Sequence, residues 1–262
     1  MGWGLVGTRP LYLYRILPRK RHRELARIAR EVRERHGPVV GTGPFAGMRY
    51  ERGQPPSGYI HRLIGSYEAE LHPVIEGLGP HPVVANIGAG DGYYAVGLAL
   101  RMPSARVHAF EALASGRRLC EGLAEINGVA DRLTVHASCT ASRLREVLAP
   151  GSLVFCDCEG CELTTLAPDQ VPVLRECDIV VELHDFLDPG ITPAITERFS
   201  SSHHIEFVER APRDGSLYEF ELGLSDADRE TVANAFAAEE NLTVQFVEAR
   251  PTRQRWAVMR PV

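Results

Sequence analysis

Five short apolar runs alternate with segments of helical periodicity between residues 83 and 200. Largely apolar runs separated by helices are typical of strands in a parallel sheet that helices cover on both sides. Because the crossovers between such strands are right-handed, the pattern predicts a doubly wound α/β sheet. The predicted strands are Val83–Ile87, Arg106–Phe110, Leu133–Ala137, Leu153–Cys156 and Ile179–Leu183.

The chain beyond residue 200 departs from this alternation. Strands are predicted at Ile205–Arg210, Leu217–Leu222 and Arg255–Met259, so we expect a mostly parallel sheet with an antiparallel C-terminal strand. Helices are predicted between the strands from their 3.6-residue periodicity. They are Tyr93–Met102, Ala114–Asn127, Ala141–Leu148, Leu163–Leu174, Thr192–Ser200 and Asp226–Glu239.

The N-terminal region differs from the rest in charge. Residues 1–36 carry ten basic and three acidic groups, net +7, whereas the whole chain has a net charge of −5. A helix is predicted from Pro18 to Gly37, followed by a loop rich in glycine and proline and a second helix at Ser66–Leu78. We therefore expect a basic N-terminal helical arm and loop in residues 1–58 and one further domain in residues 59–262.

The arm helix has an apolar stripe of Leu25, Ile28 and Val32, with arginines on its other face. This stripe needs a surface that buries it, either on the same chain or on a second subunit. We expect a homodimer through the arm. Nucleic acid is not an expected partner, because the remaining chain is acidic and shows no basic surface with interleaved aromatic residues.

Composition places the chain among ordinary globular proteins, with 44% apolar and 24% charged residues. No apolar run is long enough to span a membrane and no secretory signal is recognisable, so we expect a cytoplasmic protein. Cys156, Cys158 and Cys161 form a C-x-C-x-x-C run without a second cysteine pair. We expect reduced thiols there rather than a zinc site, a redox centre or a disulfide.

A glycine-rich turn at Gly88–Gly92 follows the first predicted strand and opens a helix. Glycines allow the backbone to approach a ligand closely, and Glu111 ends the next strand about 20 residues later, where an acid can hold the two ribose hydroxyls. The glycines fall as G-x-G-x-G rather than in the dinucleotide pattern, and no Walker A loop is present. The turn therefore predicts that the chain binds a cofactor containing adenosine. It does not favour a phosphate-binding site.

These motifs resemble those of a known family. The stretch Asn86–Gly92 with Phe110 and Glu111 looks like class I S-adenosylmethionine-dependent methyltransferases, although Asn86 stands where that family usually has an acid. Residues 157–162 match the D-x-E-G-x-E signature of FkbM-type methyltransferases. Two shorter stretches, Gly65–Glu68 (G-x-Y-E) and Glu182–His184 (E-x-H), also resemble that family, and the likeness covers roughly residues 60–210 in the correct order.

The resemblance implies a Rossmann-like methyltransferase fold and S-adenosyl-L-methionine as cofactor. It places the methionine part of the cofactor over Gly88–Gly92, the ribose on Glu111 and the adenine near Ala112. The cofactor-binding residues that it implies are Asn86, Gly88, Ala89, Gly90, Gly92, Tyr93, Glu111, Ala112, Tyr67 and Glu68.

Acids and one histidine follow the fourth and fifth predicted strands, whose ends are adjacent in a doubly wound sheet. We expect Asp157, His184 and Glu182 to be catalytic, with His184 as general base because its ordinary pKa suits proton transfer. The alternative is a structural pair of Glu182 and His184. The residues expected to contact the acceptor are Glu159, Glu162, Asp185 and His72.

The same acids suit a hard divalent cation, Mg²⁺ or Mn²⁺, with Asp157, Glu182 and Asp185 as possible ligands. We expect a metal-free site, because these spacings also occur in structural ion pairs. The expected function is methyl transfer to a small molecule, by O-methylation of a hydroxylated sugar or natural product. The alternatives are N-methylation of a cationic amine or amino sugar and a cofactor-binding partner protein without catalysis.

Overall fold

A computed structural model describes residues 19–51, 56–209, 224–234 and 255–262. The chain divides into two compact units, the first formed by Met1–Ala69 with Pro212–Arg250 and the second by Glu70–Ala211 with Pro251–Val262. The strand at Leu217–Leu222 and the start of the arm lie outside the described residues. The functional boundary between residues 58 and 59 stays a prediction.

The second unit contains a sheet that, within the described residues, has seven strands in the order β3-β2-β1-β4-β5-β7-β6. Strands β1 to β5 are parallel, and β7 runs antiparallel to both β5 and β6. The doubly wound, mostly parallel sheet with an antiparallel C-terminal strand is therefore confirmed. The strands are β1 (Val83–Ile87), β2 (Arg106–Phe110), β3 (Leu133–His136), β4 (Leu153–Cys156), β5 (Asp178–Leu183), β6 (His203–Glu209) and β7 (Arg255–Pro261).

The central strands form the core because their side chains are buried on both faces. All four residues of β4 are buried, and the Phe155 ring contacts those of Tyr94 and Trp256, with ring centroids 4.3 and 5.3 Å away. The strand order reverses at β1, which pairs with β2 on one side and with β4 on the other. The crevice at the carboxyl ends of β1 and β4 is where sheets of this type bind ligands.

The helices around the sheet agree with the sequence pattern except at two places. Those that follow β1, β2, β3 and β5 end within one or two residues of the predicted bounds. In chain order the helices are α1 (Arg19–His36), α2 (Pro56–Ile64), α3 (His72–Glu76), α4 (Tyr93–Arg101), α5 (Ala114–Ile126), α6 (Ala141–Val147), α7 (Glu162–Thr165) and α8 (Ile191–Phe199), followed by a helix over residues 226–234. No helix in the described part of the chain is long and apolar enough to cross a membrane.

The helix predicted over Ser66–Leu78 is wrong in its extent. Helix α2 begins ten residues earlier and stops before Gly65, whose φ is 92° and whose added Cβ would lie 2.1 Å from the Thr42 carbonyl oxygen. A short 3-10 turn and α3 follow, and Pro73 lies in the first turn of α3. Proline lacks an N–H and fits only that first turn, so it restarts a helix rather than continuing one.

The helix predicted over Leu163–Leu174 is also wrong. The structure has the four-residue α7 and then a 3-10 helix at Pro172–Glu176. Pro168 and Pro172 remove backbone donors within the predicted span, and both also restrict the residue before them. Apolar residues at helical spacing did not outweigh the two prolines.

In the first unit, the apolar stripe of the arm is buried within the chain. Leu25, Ile28 and Val32 are at most 2% exposed, and α1 packs against α2. Helix α2 therefore supplies part of the surface that the stripe needs, and the homodimer stays a prediction. Ser225 precedes the helix over residues 226–234, and its Oγ accepts from the Asp228 N–H at 3.2 Å. The rest of the helix predicted over Asp226–Glu239 lies outside the described residues.

Candidate functional site

The turn after β1 is shaped by glycines that no other residue could replace without movement. Gly88 has a φ of 79°, and a Cβ added to it would lie 1.7 Å from the Asp157 carbonyl oxygen. Gly92 has a φ of 96°, and its added Cβ would lie 2.9 Å from the Cα of Cys120. The N–H groups of Gly88 and Ala89 both donate to the Phe110 carbonyl oxygen at 2.9 Å. The turn is thereby held between the ends of β2 and β4.

Glu111 closes the other side of this turn. Its carboxylate accepts from the Gly90 N–H at 2.8 Å and from the Leu113 N–H at 2.7 Å. The side chain is half-buried, while Leu113 is 41% exposed and Ala112 is exposed. The acid therefore lies against the glycine turn, next to an exposed apolar surface.

Two residues that support this arrangement were not singled out from the sequence. Arg117 donates from Nη1 to the carbonyl oxygens of Glu111 and Ala112, at 2.9 and 2.6 Å. Gly116 lies so near that an added Cβ would be 2.7 Å from Glu111 Cγ and 2.9 Å from the Gly90 carbonyl oxygen. A glycine inside a predicted helix is the signal that could have revealed this close contact.

Asn86 and Tyr93 flank the glycine turn and are both buried. The Nδ2 of Asn86 donates to the Phe155 carbonyl oxygen at 3.3 Å, but its Oδ1 is buried without a hydrogen-bond partner among the described residues. An unsatisfied buried acceptor costs free energy, so a ligand donor at this oxygen would be stabilising. Tyr93 packs edge-on against Tyr94, with ring centroids 5.5 Å apart.

Three of the residues predicted to contact ligands lie apart from these elements in the sequence. Tyr67 and Glu68 belong to the first unit, where the Arg62 guanidinium stacks 4.4 Å from the Tyr67 ring and Glu68 is buried with a φ of 47°. His72 is half-buried at the start of α3 in the second unit. Their roles in binding stay predictions.

A cluster of carboxylates surrounds one imidazole at the carboxyl ends of β4 and β5. Nε2 of His184 lies 3.3 Å from Glu182 Oε2, 3.6 Å from Asp157 Oδ1 and 3.6 Å from Glu159 Oε2. Its Nδ1 is hydrogen-bonded to Oε1 of Glu162. We call these five residues the acid–histidine cluster. His184 and the Glu162 side chain are fully buried, and the Glu159 side chain is 44% exposed, so the cluster meets solvent at Glu159.

The cluster controls the charge of His184. Burial acts to lower the pKa of the imidazole, but contacts with the carboxylates of Glu162 and Glu182 and the charge of Asp157 outweigh burial and raise that pKa to about 11. Without any other cation in the cluster, His184 is an imidazolium at neutral pH. In that state it cannot accept a proton, so the general-base role expected from its ordinary pKa requires the proton to be displaced first.

Glu162 and Asp185, both expected to contact the acceptor, have different hydrogen-bond partners in the structure, and their roles in binding stay predictions. Glu162 lies on the Nδ1 side of His184, where its Oε1 also accepts from the Gly160 N–H at 3.2 Å. Asp185 instead accepts from the N–H and Oγ1 of Thr192, at 2.9 and 2.5 Å, at the start of α8. The group of possible metal-ligating side chains found in the described residues is Asp157, Glu182 and His184, without Asp185.

The expectation of reduced thiols at residues 158 and 161 is wrong, since Cys158 and Cys161 form a disulfide. The turn between them has positive φ at Glu159 and Gly160, which brings the two Cα atoms to 5.5 Å. Their C-x-x-C spacing was the available signal. Cys120, Cys139, Cys156 and Cys177 are free, and burial raises the thiol pKa to about 12 for Cys120, Cys139 and Cys177.

The glycine turn and the acid–histidine cluster meet at Asp157. The Asp157 N–H donates to the Ile87 carbonyl oxygen at 2.9 Å, its carbonyl oxygen faces Gly88, and its carboxylate faces His184. A ligand on the turn would therefore lie beside a group of hydrogen-bond acceptors. Such an arrangement can hold a neutral or cationic adenosine compound next to a hydroxyl or amine.

No protein-family model and no curated protein matches the chain. Among solved structures, it is similar to a putative rRNA-methylase from Clostridium thermocellum (10% identity, TM-score 0.48, covering 74% of this chain and 94% of that chain). It is also similar to geranyl diphosphate C-methyltransferase from Streptomyces coelicolor A3(2), solved with Mg²⁺, geranyl diphosphate and S-adenosyl-L-homocysteine (12% identity, TM-score 0.46, covering 90% of this chain and 97% of that chain). A third similar structure is that of precorrin-6y C5,15-methyltransferase from Geobacter metallireducens GS-15 (19% identity, TM-score 0.42, covering 55% of this chain and 73% of that chain). The strand order described above defines the fold.

Proposed function

We propose that this chain is an S-adenosyl-L-methionine-dependent methyltransferase that O-methylates a small hydroxylated acceptor, such as a sugar or a natural product. The observation that carries the proposal is the junction at Asp157, where a glycine turn and a group of proton acceptors share one residue. The FkbM-type signature in residues 157–162 supports the same activity.

The residues of the turn fit this cofactor. Nothing lies within 4 Å of a Cβ added to Gly90, so the backbone is open to a ligand there, and Glu111 offers a carboxylate for two ribose hydroxyls. The buried Oδ1 of Asn86 offers an acceptor for the ammonium of the amino-acid part. Ala112 and Leu113 provide exposed apolar surface for the adenine.

When bound, the cofactor supplies an electrophilic methyl group on a sulfonium. The chain's own part is to orient the acceptor oxygen in line with that methyl group and to remove the hydroxyl proton. Asp157 and Glu182 accept hydrogen bonds from the acceptor hydroxyl, and one of these carboxylates takes the hydroxyl proton as the oxygen–methyl bond forms and the sulfur–methyl bond breaks. Glu159 lies on the solvent-exposed side of the cluster.

N-methylation of a cationic amine is the second candidate. Its support is the excess of acidic groups in the acid–histidine cluster, where four carboxyl side chains surround one imidazole. A negative cluster attracts an ammonium group, which must then lose its proton before it can attack a methyl group.

The proposal is tested by calorimetric titration with S-adenosyl-L-homocysteine and NAD in parallel. A mass-spectrometric screen for methyl transfer to sugars, amino sugars and natural products follows. We expect binding of S-adenosyl-L-homocysteine and a mass gain of one methyl group on a hydroxylated acceptor. Methyl transfer only to amino sugars selects the second candidate, and cofactor binding without any turnover favours a non-catalytic partner protein. Binding of NAD without S-adenosyl-L-homocysteine contradicts the whole proposal.

A further inference from the structure

We propose that Asp157, Glu182 and His184 form a binding site for a divalent first-row transition-metal ion, with Glu159 as a further ligand and Glu162 as the group that orients the histidine. The site goes beyond the proposed methyl transfer, because its argument uses only the donor atoms of this cluster.

The distances from Nε2 of His184 to the nearest carboxylate oxygens are close to those between neighbouring ligands of a small cation. For metal–ligand distances of about 2.1 Å, neighbouring donors lie about 3.0 Å apart in an octahedral site and about 3.4 Å apart in a tetrahedral site. The three carboxylate oxygens nearest to Nε2 of His184 lie 3.3, 3.6 and 3.6 Å from it. Three donor atoms lie within 4.8 Å of one another, one from each of Asp157, Glu182 and His184.

The histidine points into the cluster with an atom that makes no hydrogen bond. Nε2 of His184 is fully buried and has no hydrogen-bond partner among the described residues, although three carboxylates face it. A buried nitrogen that is left unsatisfied is costly. A metal ion at the centre of these donors would give Nε2 a bond and would separate the carboxylate charges.

Glu162 is placed as metal sites place the partner of a ligating histidine. Its Oε1 is hydrogen-bonded to Nδ1 of His184 and holds the ring with Nε2 facing the carboxylates, so that a metal ion would bind Nε2 by displacing its proton. A carboxylate behind the histidine fixes the ring and raises its basicity as a ligand. Glu162 is itself fully buried on α7 and is held by the Gly160 N–H.

The mixed donor set favours a transition metal over Mg²⁺. Carboxylates suit Mg²⁺ and Mn²⁺ alike, whereas imidazole is a ligand for transition metals. The exposed side of the cluster at Glu159 leaves room for water or for an acceptor oxygen as a further ligand. Mn²⁺ is therefore the suitable probe.

The test is a titration of chelator-stripped, full-length protein with Mn²⁺, followed by electron paramagnetic resonance. We expect one Mn²⁺ per chain, tighter binding of Mn²⁺ than of Mg²⁺, and one histidine nitrogen coupled to the bound Mn²⁺ in pulsed spectra of the wild-type protein. The nitrogen signal does not depend on any variant being able to fold. Binding without nitrogen coupling, tighter binding of Mg²⁺, or no stoichiometric Mn²⁺ below about 1 mM (a binding free energy near −4 kcal/mol) would each overturn the site.

Variants locate the ion. We expect His184→Gln and Glu182→Gln to weaken Mn²⁺ binding at least tenfold, and Glu162→Gln to weaken it by about 10–100-fold through the orientation of His184. His204→Gln and Glu206→Gln on β6 are matched controls, since both side chains are exposed, and should bind Mn²⁺ like the wild type. Equal weakening in the controls would contradict the site.

S-adenosyl-L-homocysteine affinity is measured on the same samples. Mn²⁺ binding with nitrogen coupling but no affinity for S-adenosyl-L-homocysteine would leave the metal site standing and remove the proposed function. Affinity for S-adenosyl-L-homocysteine without Mn²⁺ binding would do the reverse.

Discussion

The glycine turn and the acid–histidine cluster lie side by side but are built by different physics. The turn is defined by backbone shape, because Gly88 and Gly92 leave no space for a side chain. The cluster is defined by side-chain charge, because four carboxylates converge on His184. A shape-defined region tolerates almost no added atom, whereas a charge-defined region depends on which ions and protons occupy it.

The largest effect is expected from Gly88→Ala in the turn. The added methyl group would overlap the Asp157 carbonyl oxygen at a φ of 79°, so we expect a loss of about 3 kcal/mol or more in the free energy of unfolding. Chemical denaturation measures it, with S-adenosyl-L-homocysteine affinity as a second readout.

Two other glycines separate overlap from backbone strain. Gly90→Ala has a φ of 57° but nothing within 4 Å of its Cβ, so it should cost only about 1–2 kcal/mol. Gly122→Ala within α5 also meets nothing and should stabilise by about 0.5–1 kcal/mol. Equal losses for all three variants would show that steric overlap with Asp157 is not what makes Gly88 necessary.

The next effect concerns Glu111, which belongs to the turn but acts through charge. Glu111→Ala removes an acceptor of charge-assisted hydrogen bonds and should weaken S-adenosyl-L-homocysteine binding by about 30–150-fold, or about 2–3 kcal/mol, in a calorimetric titration. Glu121→Ala, at an exposed position on α5, is the control and should leave that affinity unchanged. Unchanged affinity in Glu111→Ala would remove the ribose role from this carboxylate.

The variant Asp185→Ala tests whether Asp185 is functionally separate from the acid–histidine cluster. Because Asp185 accepts two hydrogen bonds from Thr192, its loss should lower the free energy of unfolding by about 1 kcal/mol and leave S-adenosyl-L-homocysteine and Mn²⁺ affinity unchanged. A variant that keeps its stability but loses turnover would restore Asp185 to the acceptor site where the sequence placed it.

The smallest expected effect concerns the rate at which the cysteine thiols are alkylated, rather than stability or binding affinity. Burial raises the thiol pKa of Cys120, Cys139 and Cys177 to about 12, so the thiolate fraction is small at pH 8 and grows only as the pH approaches 12. We expect iodoacetamide to label the folded protein slowly at pH 8, and prior reduction to add two reactive thiols at Cys158 and Cys161. Mass spectrometry of the labelled protein counts them. Rapid labelling of Cys120 without denaturant would contradict the burial argument.

The sequence predicted the shape-defined region better than the charge-defined one. The turn follows from neighbours in the chain, so Gly88, Gly92 and the strands around them could be placed from local pattern alone. Even there, the contact of Gly116 with Glu111 required knowledge of how α5 lies against the turn.

The cluster depends on side-chain directions that spacing does not determine. Asp157, Glu182 and His184 were correctly expected to meet, because strand ends are adjacent in this fold. Glu162 and Asp185 were both expected to contact the acceptor, and those roles stay predictions. The turn at Glu159 and Gly160 directs Glu162 towards His184, whereas Asp185 accepts hydrogen bonds from Thr192 at the start of α8. The disulfide depends on the same turn, which periodicity could not show.

The position of β7 has a consequence for how the chain acquires its structure during synthesis. In the described sheet, β6 meets the other strands only through β7, although β7 follows β6 by more than 40 residues. A growing chain therefore leaves the edge of β5 and the pocket for Trp256 open until β7 leaves the ribosome. Pairing over such a sequence separation is slow and exposes strand edges meanwhile. A nascent chain stalled just before residue 255 should thus be the form most prone to aggregate.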